Sequence, residues 1–234
     1  MIKYSLNKTY FDKINTEEKA YFLGFLYADG CNTMNSVKIQ VSETDKDILL
    51  KLRNRINSNC KILPCKPSIV KNGNKSYISK KSYVLWLNSR YLCNKLLERG
   101  CMPRKTFKLI FPKSRILPKK LIRHFIRGYF DGDGSMCADK NKKGSKFYLI
   151  GRKAFCLEIK SILEKYLKIE LTFKKYGKQK YWTIHCGSIP NIKKILDYLY
   201  LDAKIYLNRK YKKYKYFVKF KYIPYVNYNF RFAN

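Results

Sequence analysis

Residues 125–134 read Phe-Ile-Arg-Gly-Tyr-Phe-Asp-Gly-Asp-Gly, and residues 22–30 read Phe-Leu-Gly-Phe-Leu-Tyr-Ala-Asp-Gly. Aligned on their glycines, Gly24 matches Gly128, Ala28 matches Gly132, Asp29 matches Asp133 and Gly30 matches Gly134. Each stretch is a helix-compatible, largely apolar run ending in Asp-Gly, and glycine just past the last turn is a common helix stop. Small residues four apart share one face of a helix. Glycine inside a helix costs about 1 kcal/mol relative to alanine. Its recurrence on one face therefore predicts close backbone approach, with the two helices packed through Gly24, Ala28, Gly128 and Gly132. Residues 20–28 carry no charge, as a helix buried on most sides requires.

Asp29 and Asp133 fall at the C-terminal ends of these helices. That end carries partial negative charge, which disfavours a carboxylate. Packing two such helices together brings both carboxylates into one place. A divalent cation resolves the conflict, because hard cations take carboxylate oxygens. A single copy would be read as an ordinary helix stop with a solvated Asp; two copies with matching small residues reverse that preference.

Residues 22–30 and 126–134 resemble the paired motifs of the LAGLIDADG homing endonucleases, in their single-chain, two-motif form. The implied repeat covers most of the chain. In that family the last acid of each motif is the catalytic metal ligand, which implies Asp29 and Asp133 here, with Mg2+ as cofactor and Mn2+ as substitute. The sixth motif position is often acidic in the family; here it is Tyr27 in one copy and Asp131 in the other, a departure that leaves the metal-binding position intact and is read as structural.

Composition agrees with a polyanionic partner. Lys and Arg number 51 against 16 acids, a net charge of +35, most simply matched by nucleic acid. An AT-rich coding bias accounts for part of the Lys count and not for the scarcity of acids. With 46% hydrophobic residues in 234, the chain has the apolar surface for a real core. Its eight cysteines form no Cys-x-x-Cys pair, and the histidines are His124 and His185 alone. That pattern speaks against a zinc site and for reduced, intracellular thiols. No apolar run approaches membrane-spanning length. The first residues show no signal peptide, and Asp12, Glu17 and Glu18 argue against a mitochondrial presequence. The expected location is the cytoplasm of a microbe or phage-infected cell, or an organelle matrix, with no membrane partner.

The remaining elements follow from pattern. Thr16 before Glu17 and Glu18 reads as an N-cap with acids in the first turn, so the first motif helix is expected over 17–29. After a turn at Asn35-Ser36, Val37, Ile39 and Val41 alternate with Lys38, Gln40 and Ser42, a strand with one buried face. A helix is expected over 45–57, strands over 61–70 and 77–88 around a turn at 71–75, and a short helix over 91–99 ended by Gly100. Residues 101–118, basic and Pro-containing without period, read as a linker between halves 1–100 and 119–234. The second half repeats the order: motif helix 119–133, strand 146–150, helix 154–167, hairpin strands 171–176 and 181–186 around Gly177, and helix 192–201. A closing helix and strand-like tail are expected in the Lys- and Tyr-rich 208–234. Trp86 and Trp182, each in the last strand of its half, pair as a mark of internal duplication.

The resemblance implies an α+β fold: two pseudo-symmetric αββαββα halves packed through the motif helices, with antiparallel sheets forming a saddle over duplex DNA. It also implies β-ribbons in the major groove, which is wide enough to admit them. The implied activity is hydrolysis of one phosphodiester bond in each strand of double-stranded DNA at a long asymmetric site, by a monomer. Backbone carbonyls of Ala28 and Gly132 complete the coordination, as in the family. A basic residue near each scissile phosphate is expected, with Lys105 and Lys210 favoured from the pairs Arg104-Lys105 and Arg209-Lys210. Glu43 and Arg152 occupy the place of water-organising polar residues. Expected DNA contacts are Lys38, Gln40, Ser42, Lys146 and Tyr148 on strands, and Lys71, Lys75, Lys80, Lys81, Lys174, Lys175, Lys178 and Lys180 about the hairpins. Three alternatives remain open: a maturase that assists intron RNA splicing on the same fold, a non-cleaving DNA-binding protein, and a basic RNA-binding structural protein. Both acids being present favours cleavage. The host element, a group I intron, an intein remnant or a free-standing gene, stays open too.

Overall fold

The computed structural model describes residues 4–72, 75–103, 109–137, 145–177 and 180–219. Two helices form its centre, α1 (Glu17–Asp29) and α4 (Ile122–Asp133). A Cβ on Gly24 would fall on the Phe125 carbonyl, and one on Gly128 would fall on the Tyr21 carbonyl. Each backbone thus touches the other through glycine, and a side chain at either place would hold the helices apart. The apolar run of α1 is buried continuously from Ala20 to Tyr27, in keeping with its lack of charge. Its start is fixed as expected, the Thr16 hydroxyl accepting from the Lys19 N–H at 3.3 Å.

Both helices stop at their Asp-Gly, but not by a left-handed turn. Gly30 and Gly134 are extended, with φ of −76° and −92°. Space is the reason for glycine: a Cβ would crowd the Leu26 carbonyl at 2.7 Å in one case and the Phe130 ring in the other. The chain therefore leaves each helix directly into a strand.

In the first half β1 (Gly30–Asn32), β2 (Ser36–Ser42), β6 (Ser82–Asn88) and β3 (Ile62–Cys65) form an antiparallel sheet in the order β1-β2-β6-β3. In the second half β7 (Gly134–Cys137), β8 (Lys146–Gly151), β10 (Trp182–Cys186) and β9 (Thr172–Lys175) repeat it as β7-β8-β10-β9. Helices α2 (Lys46–Arg55) and α3 (Arg90–Glu98) pack on the first sheet, and α5 (Lys153–Leu167) and α6 (Ile189–Tyr200) on the second. Helix α7 (Asn208–Lys219) packs against α6. The fold is the expected α+β pair of halves.

Three local expectations change. The strands expected over 61–70 and 77–88 each break in two. Their outer parts form a separate ribbon of β4 (Ile69–Asn72) and β5 (Lys75–Ile78). Pro67 lies at the first break and has no N–H to continue a ladder; Pro64 is tolerated because β3 is an edge strand. Helix α6 begins three residues before position 192, with Pro190 in its first turn, where proline is favoured.

The third change is register. Gly30 pairs with Ile39 and Gly134 with Leu149; Ile39 then pairs with Leu85, and Leu149 with Ile184. Trp86 therefore corresponds to His185, and Trp182 to Tyr83. The expected equivalence of Trp86 and Trp182 fails: the strands match but the residues sit on opposite faces. Trp182 stacks on Phe173 at 4.6 Å, whereas Trp86 lies beside Lys38.

The glycine contact gives a direct test. Gly128→Ala should lower stability by about 2 kcal/mol or more through overpacking, although alanine alone would favour the helix by about 1 kcal/mol. An unchanged urea midpoint would show that the helices do not meet there.

Candidate functional site

At the C-terminal ends of α1 and α4, Asp29 and Asp133 reach solvent while Asp131 is fully buried. The two acids are crossed over. The Asp29 Oδ2 lies 3.1 Å from where a Cβ on Gly132 would sit. Asp133 shares a cleft of about 330 Å3 with Ala28 of the other helix, together with Tyr27, Tyr129, Arg152 and Tyr181. Each carboxylate thus stands beside the small residue of the opposite motif, and that smallness leaves the room.

Two features temper the negative charge. Lys210 of α7 is buried, and its Nζ donates to the carbonyls of Phe130, of Asp131 at 2.8 Å and of Gly134 at 2.6 Å. These carbonyls surround the end of α4, where a cation offsets the helix dipole. Burial pushes the Lys210 ammonium down to about 8, against the opposing pull of Asp131 and Asp29. Around Asp133, burial and then the carboxylate itself raise the Tyr129 phenol and push the Cys156 thiol up to about 12. Both stay protonated at neutral pH, so Tyr129 is a donor here, directed at the Ile150 carbonyl at 2.8 Å, and Cys156 is not a thiolate.

The sixth motif positions do mirrored work. The Tyr27 hydroxyl donates to the Arg99 carbonyl at 2.6 Å, just beyond α3. Asp131 accepts from the Tyr21 hydroxyl at 2.7 Å, the Tyr200 hydroxyl at 2.5 Å and the Leu207 N–H at 2.8 Å, just beyond α6. Each ties its motif helix to the last helix of its sheet, one as a donor and the other as an acceptor. Tyr27 lines the cleft but spends its hydroxyl on the Arg99 carbonyl, and Asp131 is not among the residues lining it; burial raises the Asp131 carboxyl, opposed by Lys210 and its donors.

The expected nucleic-acid contacts fall on both sheets. The Lys38 Nζ sits 5.5 Å from the centroid of exposed Trp86, and Gln40 Nε2 donates to Ser82 Oγ at 3.1 Å. The Ser42 hydroxyl is tied to Asp45 at 3.2 Å, in the turn before α2. Lys146 is exposed, and the Tyr148 ring packs at a tilt of 39° against His185, centroids 4.6 Å apart. Lys80, Lys81, Lys174, Lys175 and Lys180 are exposed, while Lys71 and Lys75 fall within β4 and β5. Arg152 lines the Asp133 cleft and donates to the Lys180 carbonyl at 3.0 Å. By register Arg152 corresponds to Ser42, not to Glu43, which is exposed on the turn after β2. Lys105 with Arg104, Lys178 and the tail beyond 219 lie outside the described residues. Sequence reasoning passed over His185, whose Nε2 is buried without a hydrogen-bond partner. Burial, Lys146 and Lys174 hold its imidazole below the usual range, hence neutral near pH 7. The missing signal was the strand register, which alone places it opposite Tyr148.

A second buried cluster braces the seam from behind. Arg127 donates to Glu17 at 2.7 Å, to the Leu199 and Ile205 carbonyls, and to His124 Nδ1 at 3.0 Å. His124 must be neutral to accept there, and burial followed by the Arg127 charge lowers it to about 4.

No family model matches the chain. A probable translation initiation factor IF-2 of Methanocaldococcus jannaschii is 25% identical over 182 residues, 74% of this chain, and the chain spans 14% of that relative's length. Among solved structures, the LAGLIDADG homing endonuclease I-GzeII in complex with its DNA target matches at TM-score 0.54 and 17% identity, over 86% of this chain and 88% of that one. The meganuclease I-SmaMI bound to uncleaveable DNA matches at TM-score 0.53 and 14% identity, over 87% and 90%. Full-length DUF199/WhiA from Thermatoga maritima matches at TM-score 0.51 and 16% identity, over 94% and 67%. These likenesses show the fold, the mixed α+β arrangement of the LAGLIDADG homing endonucleases.

The depressed His124 predicts acid sensitivity. Between pH 6.5 and about 4 the unfolded chain binds a proton that the fold does not, so stability falls as pH falls through that window. The loss should be on the order of 2 kcal/mol, and His124→Asn should remove it. Equal pH dependence in both proteins, read by thermal melting, would sink the assignment.

Proposed function

We propose that the chain is a site-specific endonuclease that hydrolyses one phosphodiester bond in each strand of duplex DNA. The observation that carries this reading is the crossed pair of solvent-reaching carboxylates, Asp29 and Asp133, at two helix ends joined through glycine. A fold of this kind has no structural need of acids at two adjacent negative helix ends. The fold alone does not decide, because it is shared with WhiA as well as with the homing endonucleases.

The donors suit a hard divalent cation. Among the described residues no group of three or more His, Cys, Asp and Glu side chains is placed to hold a metal. A site here has one carboxylate from each motif, backbone carbonyls of Ala28 and Gly132, solvent and the substrate phosphate. Such an all-oxygen, water-rich set matches Mg2+, with Mn2+ as substitute. When bound, the cation polarises the scissile phosphate and promotes ionisation of the attacking water. The chain's own residues do the rest. Lys210 offsets the negative end of α4 through the Asp131 and Gly134 carbonyls and is attracted by the Asp29 carboxylate. Arg152 presents a cation in the Asp133 cleft, suited to a phosphate oxygen. Lys105 is the proposed counterpart of Lys210 in the first half.

With both motifs in one chain, a monomer suffices for both strands. The exposed lysines of the two sheets position the duplex through its phosphates, and Lys38, Gln40 and Tyr148 reach base edges. The DNA in the I-GzeII and I-SmaMI structures supports duplex as the partner. Among the described residues no helix is long and apolar enough to cross a membrane.

The decisive comparison is wild type against Asp29→Asn/Asp133→Asn on a library of duplexes, in Mg2+ and in Ca2+. Wild type should cut both strands at one long site, and the double variant should bind that site while cutting about 100-fold more slowly or less. Single variants should nick. Undiminished cleavage by the double variant would refute the metal assignment. Selective binding of folded intron RNA in place of duplex would favour the maturase.

A further inference from the structure

The ribbon of β4 and β5 exposes apolar side chains far beyond what a free surface needs. Ile69 and Ile78 are each 73% exposed, and Tyr77 is 54% exposed. Register places Ile69 opposite Ile78 and Val70 opposite Tyr77. Directly opposed residues share a face, so each face of the ribbon bears an apolar pair. A two-stranded ribbon is marginal in water by itself, and exposed isoleucine on both strands adds nothing to its solubility. An apolar patch in this position marks a contact surface.

The charge around the patch defines the partner. Residues 61–81 contain six lysines, at 61, 66, 71, 75, 80 and 81, and no acid. A second copy of the ribbon would be repelled. A DNA major groove is lined by phosphates, admits a two-stranded ribbon, and presents the C5-methyl group of thymine as its apolar feature. We propose that Ile69 and Ile78, which share one face of the ribbon, are specificity-determining residues that pack on thymine methyl groups at one flank of the target. This rests on the DNA-binding reading above. The lysines supply sequence-independent attraction, and the Ile69–Ile78 pair supplies a preference for thymine.

Deoxyuridine tests this, because it removes only the methyl group. Duplexes recovered by the full wild-type chain from a randomised library are resynthesised with deoxyuridine for thymine, one position at a time. Wild type should lose about fourfold in affinity for each methyl under the ribbon, from the value of one buried carbon, at positions clustered in one flank. Ile69→Ser/Ile78→Ser should bind the thymine duplexes more weakly and be indifferent to deoxyuridine there. Both changes are at exposed positions, and circular dichroism checks that the fold is kept. Tight duplex binding by wild type with no methyl dependence in either flank overturns the proposal and leaves the nuclease reading standing. Failure to recover any duplex overturns both. A wild-type dimer that the double variant dissolves, seen by sedimentation, would assign the patch to a second copy and overturn the thymine reading.

Discussion

The structure depends on two backbone contacts, Gly24 against the Phe125 carbonyl and Gly128 against the Tyr21 carbonyl. They bring the backbones of α1 and α4 into direct contact, with no side chain between them at these two places. From that contact the rest follows. Both helices end side by side, so Asp29 and Asp133 arrive together, each beside the other's small residue. Both strands that leave the helices, β1 and β7, start from the same seam and set the edges of the two sheets. The same closeness creates an electrostatic difficulty, since two negative helix ends and two carboxylates share one place. Lys210, buried against three carbonyls of the α4 end, is the chain's own partial answer.

An apolar seam is weakly directional, and polar links between the halves fix it. Glu17 of α1 accepts from Arg127 at 2.7 Å and from the Lys204 N–H at 2.7 Å. Lys51 of α2 donates to the Tyr206 carbonyl and to Asn208, both at 2.9 Å. Arg209 meets Asp45 through Nε at 2.8 and 2.9 Å. Residues 204–209 of the second half thus run as a strap along the first, and they deliver Lys210 to the seam. Arg127 is wholly buried, a costly position for a charge unless it is fully partnered; Glu17, two carbonyls and His124 provide the partners.

The seam was legible because it is local: a period, a pair of glycines and an acid, repeated. Element order was legible for the same reason, from alternation and caps. What sequence could not supply was register. Alternation tells which residues share a face but not which residue opposes which, so the sequence pairs Trp86 with Trp182 although the counterpart of Trp86 is His185. Nor could it supply partners remote in the chain. The role of Asp131 depends on Tyr21, Tyr200 and Leu207, which lie 110, 69 and 76 residues away. Lys210 is singled out in the sequence by the matching pairs Arg104-Lys105 and Arg209-Lys210, yet the carbonyls its ammonium meets about the end of α4 follow from the strap and not from any motif.

Corrected register exposes a difference between the two halves. The row that crosses the first sheet at its centre is Cys31, Lys38 and Trp86. The corresponding row of the second is Ser135, Tyr148, His185 and Thr172. One presents an ammonium and an indole, both donors only, beside the Cys31 thiol, a weak donor and acceptor. The other presents hydroxyls and an imidazole kept neutral by burial first and then by neighbouring Lys146 and Lys174, groups that can accept as well as donate. Two identical subunits would offer one row twice and match a palindrome. On the endonuclease reading proposed above, a single chain whose halves share a backbone but differ in this row fits two unlike half-sites, with Asp29 and Asp133 held equivalent by the seam while the two rows diverge.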